Sequence, residues 1–176
     1  MYEINTPENL KFADYIAITQ LARTLVDGYD RKDRARLLAA FAPHFTTDYR
    51  GALKGVSKRQ YTPEDFVDEC LSPGLLGDPR VRTQHLLGLP YFKSVTEDKI
   101  VVEWQQIASH GLRATDSDPE DNNALIEYHV GVRSYLEHEY VKIDGKWKVA
   151  YITPSALYSP GEVSKVLGLE RAWKKD

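Results

Sequence analysis

The chain has 176 residues, of which 42% are apolar and 28% are charged, and this fits one compact domain with a single core or an enclosed cavity. The net charge is −3 and the lysines and arginines are scattered, which argues against nucleic acid or a membrane surface as a partner. Because Cys70 is the only cysteine, an internal disulfide and a multi-thiolate zinc site are excluded.

The first ten residues lack the basic and apolar regions of a secretory signal, and no stretch approaches the roughly 18 apolar residues of a membrane span. We therefore expect a soluble protein of the cytoplasm. The chain carries eleven tyrosines and three tryptophans. Their apolar bodies and polar tips suit a cavity for an aromatic or oxygen-rich ligand, although most of these tyrosines are expected at the core boundary.

The N-terminal part of the sequence predicts helices. Thr6 and Pro7 have the pattern of a helix start, and apolar residues at helical spacing extend the first helix over residues 7–27. Asp33 can cap a second, short helix that includes Phe41 and ends before Pro43. Residues 45–50 are β-like, and a third helix follows the cap at Thr62, with Cys70 as a buried small side chain at its end.

The C-terminal half predicts strands at 81–93, 99–112, 125–142 and 146–153, the last after the hairpin turn at residues 144–145. Residues 160–169 are expected to form a short helix, and the polar segment 116–123 a solvated loop without a metal-binding role. Helices followed by long antiparallel strands predict an α+β fold over residues 1–176, in which helices pack on one face of a curved sheet. Such a cone has an interior lined by every second strand residue.

The histidine of the Arg-Thr-Gln-His segment at 82–85 lies in the middle of a predicted strand. Alternation alone does not decide which face His85 occupies. His110 shares a face with Gln106 on the next strand, and Ser134 shares one with Leu136 and His138 on the third. If the polar members of these faces point inwards, one cavity holds His85, His110 and Ser134.

A histidine can take up and return a proton near neutral pH if a partner sets its tautomer. Asp30 is a candidate partner, and Tyr29 and Tyr49 are candidate phenolic donors. The Gly-Tyr-Asp segment at 28–30 is also compatible with an ordinary helix end, and the residues alone favour that interpretation.

Five segments of the chain, from about residue 25 to 168, resemble the scytalone dehydratase family in order and spacing. They are GYDRKD, DYRG, EDFV, LGDPRVRTQH and KIDGKWKVA. This family belongs to fungal polyketide and melanin pathways and to the α+β cones of the nuclear transport factor 2 (SnoaL-like) superfamily. The resemblance implies a carbon–oxygen lyase that needs neither a metal nor an organic cofactor and that forms homotrimers.

The resemblance also implies roles for individual residues. His85, oriented by Asp30, would remove a proton α to a ketone and then protonate the departing β-hydroxyl. Tyr29 and Tyr49 would stabilise an enolate-like transition state, and His110 and Ser134 would hold the leaving hydroxyl group. The substrate-binding residues would then be Ser134, Leu136, Tyr158, Val163 and Leu167.

The match departs from the family at its substrate contacts. Leu136 stands where the family has a side-chain amide, and Val163 and Leu167, with Tyr158 upstream, replace a more aromatic lid. These departures predict dehydration of a polyketide other than scytalone. The same acid–base set could instead serve a cyclisation or an isomerisation, and a cone of this superfamily can also bind a small molecule without catalysis.

Overall fold

The computed structural model describes residues 3–53, 55–114, 118, 121 and 123–168. It has four α-helices, one 3-10 turn and six strands in these ranges. The helices are α1 (Phe12–Asp30), α2 (Arg34–Ala40), α3 (Pro63–Cys70) and α4 (Val163–Val166), and the 3-10 turn is Tyr49–Gly51. The strands are β1 (Phe41–Thr47), β2 (Arg59–Tyr61), β3 (Val81–Val95), β4 (Lys99–Arg113), β5 (Ile126–Ile143) and β6 (Lys146–Tyr158).

The six strands form one sheet in the order β2-β1-β6-β5-β4-β3. Only β1 and β6 pair in parallel; the other neighbouring strands are antiparallel. Register shifts interrupt the β3–β4 pairing between Leu87 and Pro90 and the β5–β6 pairing between Arg133 and Ser134. Because such irregularities bend a strand, the long strands curve around the interior. The predicted α+β class is confirmed.

The core lies between α1 and the concave face of the sheet. Ile18, Ala22 and Leu25 of α1 are buried against alternate residues of the strands, such as Val102 of β4 and Val149 of β6. Alternate burial along β4 and β5 follows from the two-residue period of a strand. The same face that builds the core therefore also presents side chains to the interior of the cone.

The first helix begins later than predicted. It starts at Phe12 rather than at residue 7, because the segment before it is held in place by Asn5, whose side-chain amide donates to the Phe92 carbonyl at 2.7 Å. The helix continues to Asp30. Gly28 allows this end of α1 to lie close to α2, since a Cβ atom at Gly28 would meet the Leu37 side chain at 2.7 Å.

Phe41 was predicted in the second helix, but it begins β1. Its backbone is extended and it pairs with Val149 of β6. The register shift between Phe41 and Thr46 brings its ring onto Phe45, with the centroids 4.0 Å apart. The β-like segment 45–50 divides at Thr47 between β1 and the 3-10 turn. The short strand β2 was not predicted.

Other boundaries follow from the neighbours of each element. Asp33 and Thr62 cap α2 and α3 as predicted, each side chain accepting a backbone N–H of the first turn. Strand β6 extends beyond the predicted end at residue 153, through Pro154. The pairing with β1 stops at Ile152, so β6 is an edge strand beyond that point, where a proline is tolerated. The final helix is only Val163–Val166, and the predicted loop 116–123 lies mostly outside the described residues.

Candidate active site

The last residue of α1 and the middle of β3 form a hydrogen-bonded unit. The Nδ1 atom of His85 lies 2.7 Å from Oδ1 of Asp30, and the backbone N–H of His85 donates to the other carboxylate oxygen at 2.8 Å. The Thr83 hydroxyl donates to Oδ1 of Asp30, also at 2.8 Å. Both the backbone and the side chain of His85 are therefore held by one carboxylate.

This arrangement determines which nitrogen of His85 is available for chemistry. Burial raises the pKa of Asp30, but the hydrogen bonds and charge of His85 and the hydrogen bond from Thr83 outweigh it, and the net pKa lies below its usual value. At neutral pH the Asp30 carboxylate is thus ionised and only accepts hydrogen bonds. In the neutral imidazole of His85, Nδ1 therefore carries the hydrogen, and Nε2 has a lone pair that can act as a base.

His110 of β4 lies edge-on to His85, with ring centroids 5.4 Å apart and an interplanar angle of 89°. Its Nδ1 atom is buried and has no hydrogen-bond partner among the described residues. Burial, and then the neighbouring His85, lower the pKa of His110 to about 4. His110 is therefore neutral near pH 7 and can offer one donor and one acceptor nitrogen.

Two tyrosines approach the same region from the helical side. The Tyr29 ring is 5.6 Å from the His85 ring, and its hydroxyl is buried without a partner among the described residues. Burial, followed by the neighbouring Tyr49 and Cys70, raises the pKa of Tyr29 well above its usual value. Burial raises the pKa of Tyr49 as well. Both phenols therefore stay protonated and remain hydrogen-bond donors.

These side chains open into a cavity of about 170 Å³. For comparison, a cavity of roughly 150 Å³ accommodates a benzene ring. Eight of the predicted site residues line it: Tyr29, Tyr49, His85, His110, Ser134, Leu136, Val163 and Leu167. Asp30 does not line the cavity, because it lies behind His85 and contacts it there.

Tyr158, which was predicted to bind substrate, does not line the cavity. Its side chain is on the surface at 61% exposure, and its ring lies against the Arg133 guanidinium at 5.8 Å. The register shift between Arg133 and Ser134 pairs Tyr158 with Arg133, so the inward face of β6 does not continue to this position. Val163 and Leu167, in contrast, do line the cavity.

Comparison with known proteins decides the family. The family model described as scytalone dehydratase matches residues 9–172. The chain belongs to the scytalone dehydratase family. It is 46% identical over 171 residues to the dehydratase cfoI of Aspergillus candidus, covering 97% of this chain and 98% of that protein. It is 34% identical over 151 residues to the scytalone dehydratase arp1 of Aspergillus fumigatus, covering 85% and 86%.

A solved structure with the same fold is that of the hexachlorocyclohexane dehydrochlorinase LinA-type3 from Novosphingobium barchaimii. It superposes with a TM-score of 0.65 at 17% identity and covers 86% of this chain and 91% of that chain. The predicted cone fold and the resemblance to the scytalone dehydratase family are confirmed. The chain is accordingly a scytalone-dehydratase-like enzyme.

Gln106, His138 and Glu69 also line this dehydratase-family cavity and were not among the predicted site residues. Gln106 accepts a hydrogen bond from Ser134 Oγ at 3.0 Å, and both residues line the cavity. His138 is 1% exposed, and its Nδ1 atom lies 2.8 Å from the Tyr140 hydroxyl. Burial lowers the pKa of His138 to about 3. Strand alternation places Gln106 on the same face as His110 and places His138 on the same face as Ser134, and that was the signal available in the sequence.

Cys70 is buried, as predicted, and lines the cavity beside the two tyrosines. Burial, and then the charge of Glu69, raises the pKa of its thiol to about 12, so it is not a thiolate near neutral pH. Within the described ranges, no three histidine, cysteine, aspartate or glutamate side chains are grouped as metal ligands. In the same ranges, no helix is long and apolar enough to cross a membrane.

Proposed function

We propose that the enzyme removes water from a β-hydroxy ketone of the polyketide class by acid–base chemistry at His85, without a cofactor. The observation that carries this proposal is the Asp30–His85 pair, which leaves a basic nitrogen facing a mostly apolar cavity that also receives two phenols. Membership of the scytalone dehydratase family and the 46% identity to a protein named as a dehydratase support the reaction class.

In the first step, Nε2 of His85 takes the proton on the carbon next to the ketone. The electron pair of that C–H bond moves towards the carbonyl oxygen, where negative charge develops. The phenols of Tyr29 and Tyr49 donate hydrogen bonds to this oxygen, which stabilises the enolate-like state. The adjacent ketone acidifies the α-proton, because its carbonyl group accepts the electron pair of the broken C–H bond. A general base that works near neutral pH can therefore remove this proton, and the step needs no further electron acceptor.

In the second step the enolate re-forms the ketone, or its aromatic enol, as the bond from the β-carbon to its hydroxyl breaks. Nε2–H of His85 returns the proton to the departing oxygen, and water leaves. The same nitrogen therefore removes and delivers one proton, and the enzyme ends in its starting state. Formation of an aromatic ring supplies the driving force where the substrate is a cyclic ketone.

His110 and Ser134 are proposed to hold the departing hydroxyl. Neutral His110 can donate a hydrogen bond to the hydroxyl oxygen from one ring nitrogen. Its low pKa also prevents it from competing with His85 for the proton. Ser134 donates its only hydrogen to Gln106 and keeps acceptor capacity on its oxygen for the substrate O–H.

We also propose that the enzyme works in the cytoplasm and assembles as a homotrimer through its sheet. Large apolar side chains are exposed on the three strands at and next to the β3 edge: Leu86, Tyr91, Ile107 and Tyr135. A second copy of the chain would cover them. Sedimentation equilibrium of the purified protein tests this: a trimer is expected, and a monomer at all concentrations would contradict it.

The test of the proposed function compares the wild type with His85→Ala and with His44→Ala, a control at an exposed histidine of β1. Each protein is incubated with scytalone and with a panel of β-hydroxy tetralones, and the products are followed by mass spectrometry and aromatic absorbance. The expected result is loss of one water by the wild type and by His44→Ala but not by His85→Ala. Turnover without a change of mass would identify an isomerase or cyclase. Binding without turnover, unaffected by His85→Ala, would identify a non-catalytic cone.

A further inference from the structure

The paired polar residues Gln106 and Ser134 lie in the β4–β5 wall of the cavity, next to apolar side chains such as Ala108 and Leu136. They are direct cross-strand neighbours in the β4–β5 register, and Ser134 is 3% exposed. The hydrogen bond from Ser134 Oγ fixes one end of the Gln106 amide, the carbonyl oxygen. A flexible glutamine side chain is thus held in one orientation at the cavity surface.

The other end of this amide binds no described residue, since the bond from Ser134 is the one hydrogen bond that its side chain makes among them. The cavity-lining residues nearest to Gln106 in the strand register are the apolar Ala108, Val132 and Leu136 and the polar His85, and none of them is hydrogen-bonded to its nitrogen. An amide nitrogen with two hydrogens beside apolar walls needs an oxygen from a ligand or from water. The fixed amide therefore forms a donor site for a ligand oxygen.

The strand register gives the distance of this site from the reacting centre. His85 pairs with Ala108, and Gln106 is two residues from Ala108 on the same face of β4. Two residues of a strand span about 7 Å. This spacing is about the width of one fused ring, so a carbon at His85 and an oxygen bound by Gln106 can belong to one bicyclic molecule.

We propose that Gln106 is a specificity-determining residue that donates a hydrogen bond to a second ring oxygen of the substrate, and that Ser134 positions it. The inference rests on the proposed function for its substrate class, and it narrows that class to bicyclic ketones with a hydroxyl or carbonyl on the non-reacting ring. Leu136, diagonal to Gln106 across the β4–β5 pair, shapes an apolar wall beside this oxygen.

The test measures equilibrium binding of aromatic product analogues, so it does not depend on turnover. Titration calorimetry compares a naphthol that has one hydroxyl with naphthalenediols that carry a second hydroxyl on the other ring. The proteins are the wild type, Gln106→Met and Gln106→Leu, and the matched control is Gln105→Met, whose side chain is exposed on the opposite face of β4. Methionine resembles glutamine in length but cannot donate.

The wild type and Gln105→Met are expected to bind at least one naphthalenediol about tenfold more tightly than the naphthol, as a net hydrogen bond allows. The Gln106 variants are expected to lose this ratio while binding the naphthol as the wild type does. Adding Leu136→Asn to Gln106→Met places an amide on the neighbouring strand beside Ser134, and part of the ratio should return. A mere loss of packing would not be rescued in this way.

The inference is overturned if the wild type binds the naphthol as tightly as every naphthalenediol, a result that requires no variant. It is also overturned if the Gln106 variants keep the wild-type ratio. Failure of the proposed function looks different: no β-hydroxy tetralone would be dehydrated, whereas the Gln106-dependent binding ratio would persist.

Discussion

Replacing Asp30 by asparagine is the most informative single change at this site, because it alters charge and hydrogen-bond polarity without altering shape. Oδ1 of Asp30 accepts from Thr83 and from His85 Nδ1, and Oδ2 accepts from the His85 backbone. An asparagine has only one oxygen. Its NH₂ group must therefore face one of the two His85 donors.

Each orientation of this asparagine has a defined cost. If the NH₂ group faces the backbone N–H, two donors oppose each other, which costs about 1–3 kcal/mol. If it faces Nδ1, the ring hydrogen moves to Nε2, and the lone pair that removes the substrate proton is lost. Since general acid–base catalysis contributes about 10²- to 10⁴-fold, we expect kcat of Asp30→Asn to fall by that order, with KM little changed.

Steady-state kinetics on a β-hydroxy tetralone, together with chemical unfolding, provide the measurement. Thr83→Val is the control, because it removes one donor to Asp30 and leaves both His85 contacts in place. Its loss of activity should be tenfold or less, about the effect of one hydrogen bond. If Asp30→Asn retained kcat within about threefold of the wild type, well inside the effect of one hydrogen bond, the assignment of Asp30 as the orienting residue would be wrong.

Two further predictions concern Tyr29 and His138. Tyr29→Phe removes a buried hydroxyl that has no partner among the described residues, so the free energy of unfolding should rise by about 1 kcal/mol. Its kcat should fall about 10²-fold, as for loss of one donor to a developing oxyanion; lower stability with unchanged kcat would contradict the proposed role. His138 has a folded-state pKa of about 3, below its unfolded value, so the stability it confers is complete above pH 6.5 and is lost as the pH falls towards 3. At pH 5 this loss of stability is ~2 kcal/mol. The free energy of unfolding, measured with urea at a series of pH values, should fall less steeply with acid in His138→Gln, by the slope that corresponds to about one proton. An unchanged slope would refute this prediction.

The fold was largely predictable because its main elements carry their own local signals. Side-chain caps at Asp33 and Thr62 and the Asp144-Gly145 turn act over a few residues, and the structure places helices and a hairpin there. The start of α1 was missed because it depends on Asn5 binding to Phe92, a contact across 87 residues. Phe41 was misassigned for the same kind of reason, since its pairing with the distant Val149 of β6 overrides its helical spacing.

The candidate site was predictable only in part. Strand alternation groups His110 with Gln106 and Ser134 with His138, but it does not say that the two faces meet in one cavity or that Gln106 binds Ser134. The family resemblance pointed to Asp30 and His85, which alternation could not pair. Tyr158 lies outside the cavity because the register shift between Arg133 and Ser134 interrupts the alternation of β6 before that position, and the sequence pattern does not show such a shift.

The double attachment of His85 to Asp30 has a consequence for how the enzyme acquires its activity. The two residues are 55 apart in sequence, and one lies on the first helix while the other lies on an edge strand of the sheet. Neither the helix nor the β3–β4 hairpin contains a working base by itself. Contacts between distant segments form late because closing a long loop costs chain entropy. Catalytic activity should therefore return in the last phase of refolding, after helical circular dichroism has recovered, and a fragment without residues 1–30 would carry His85 with no partner to set its tautomer.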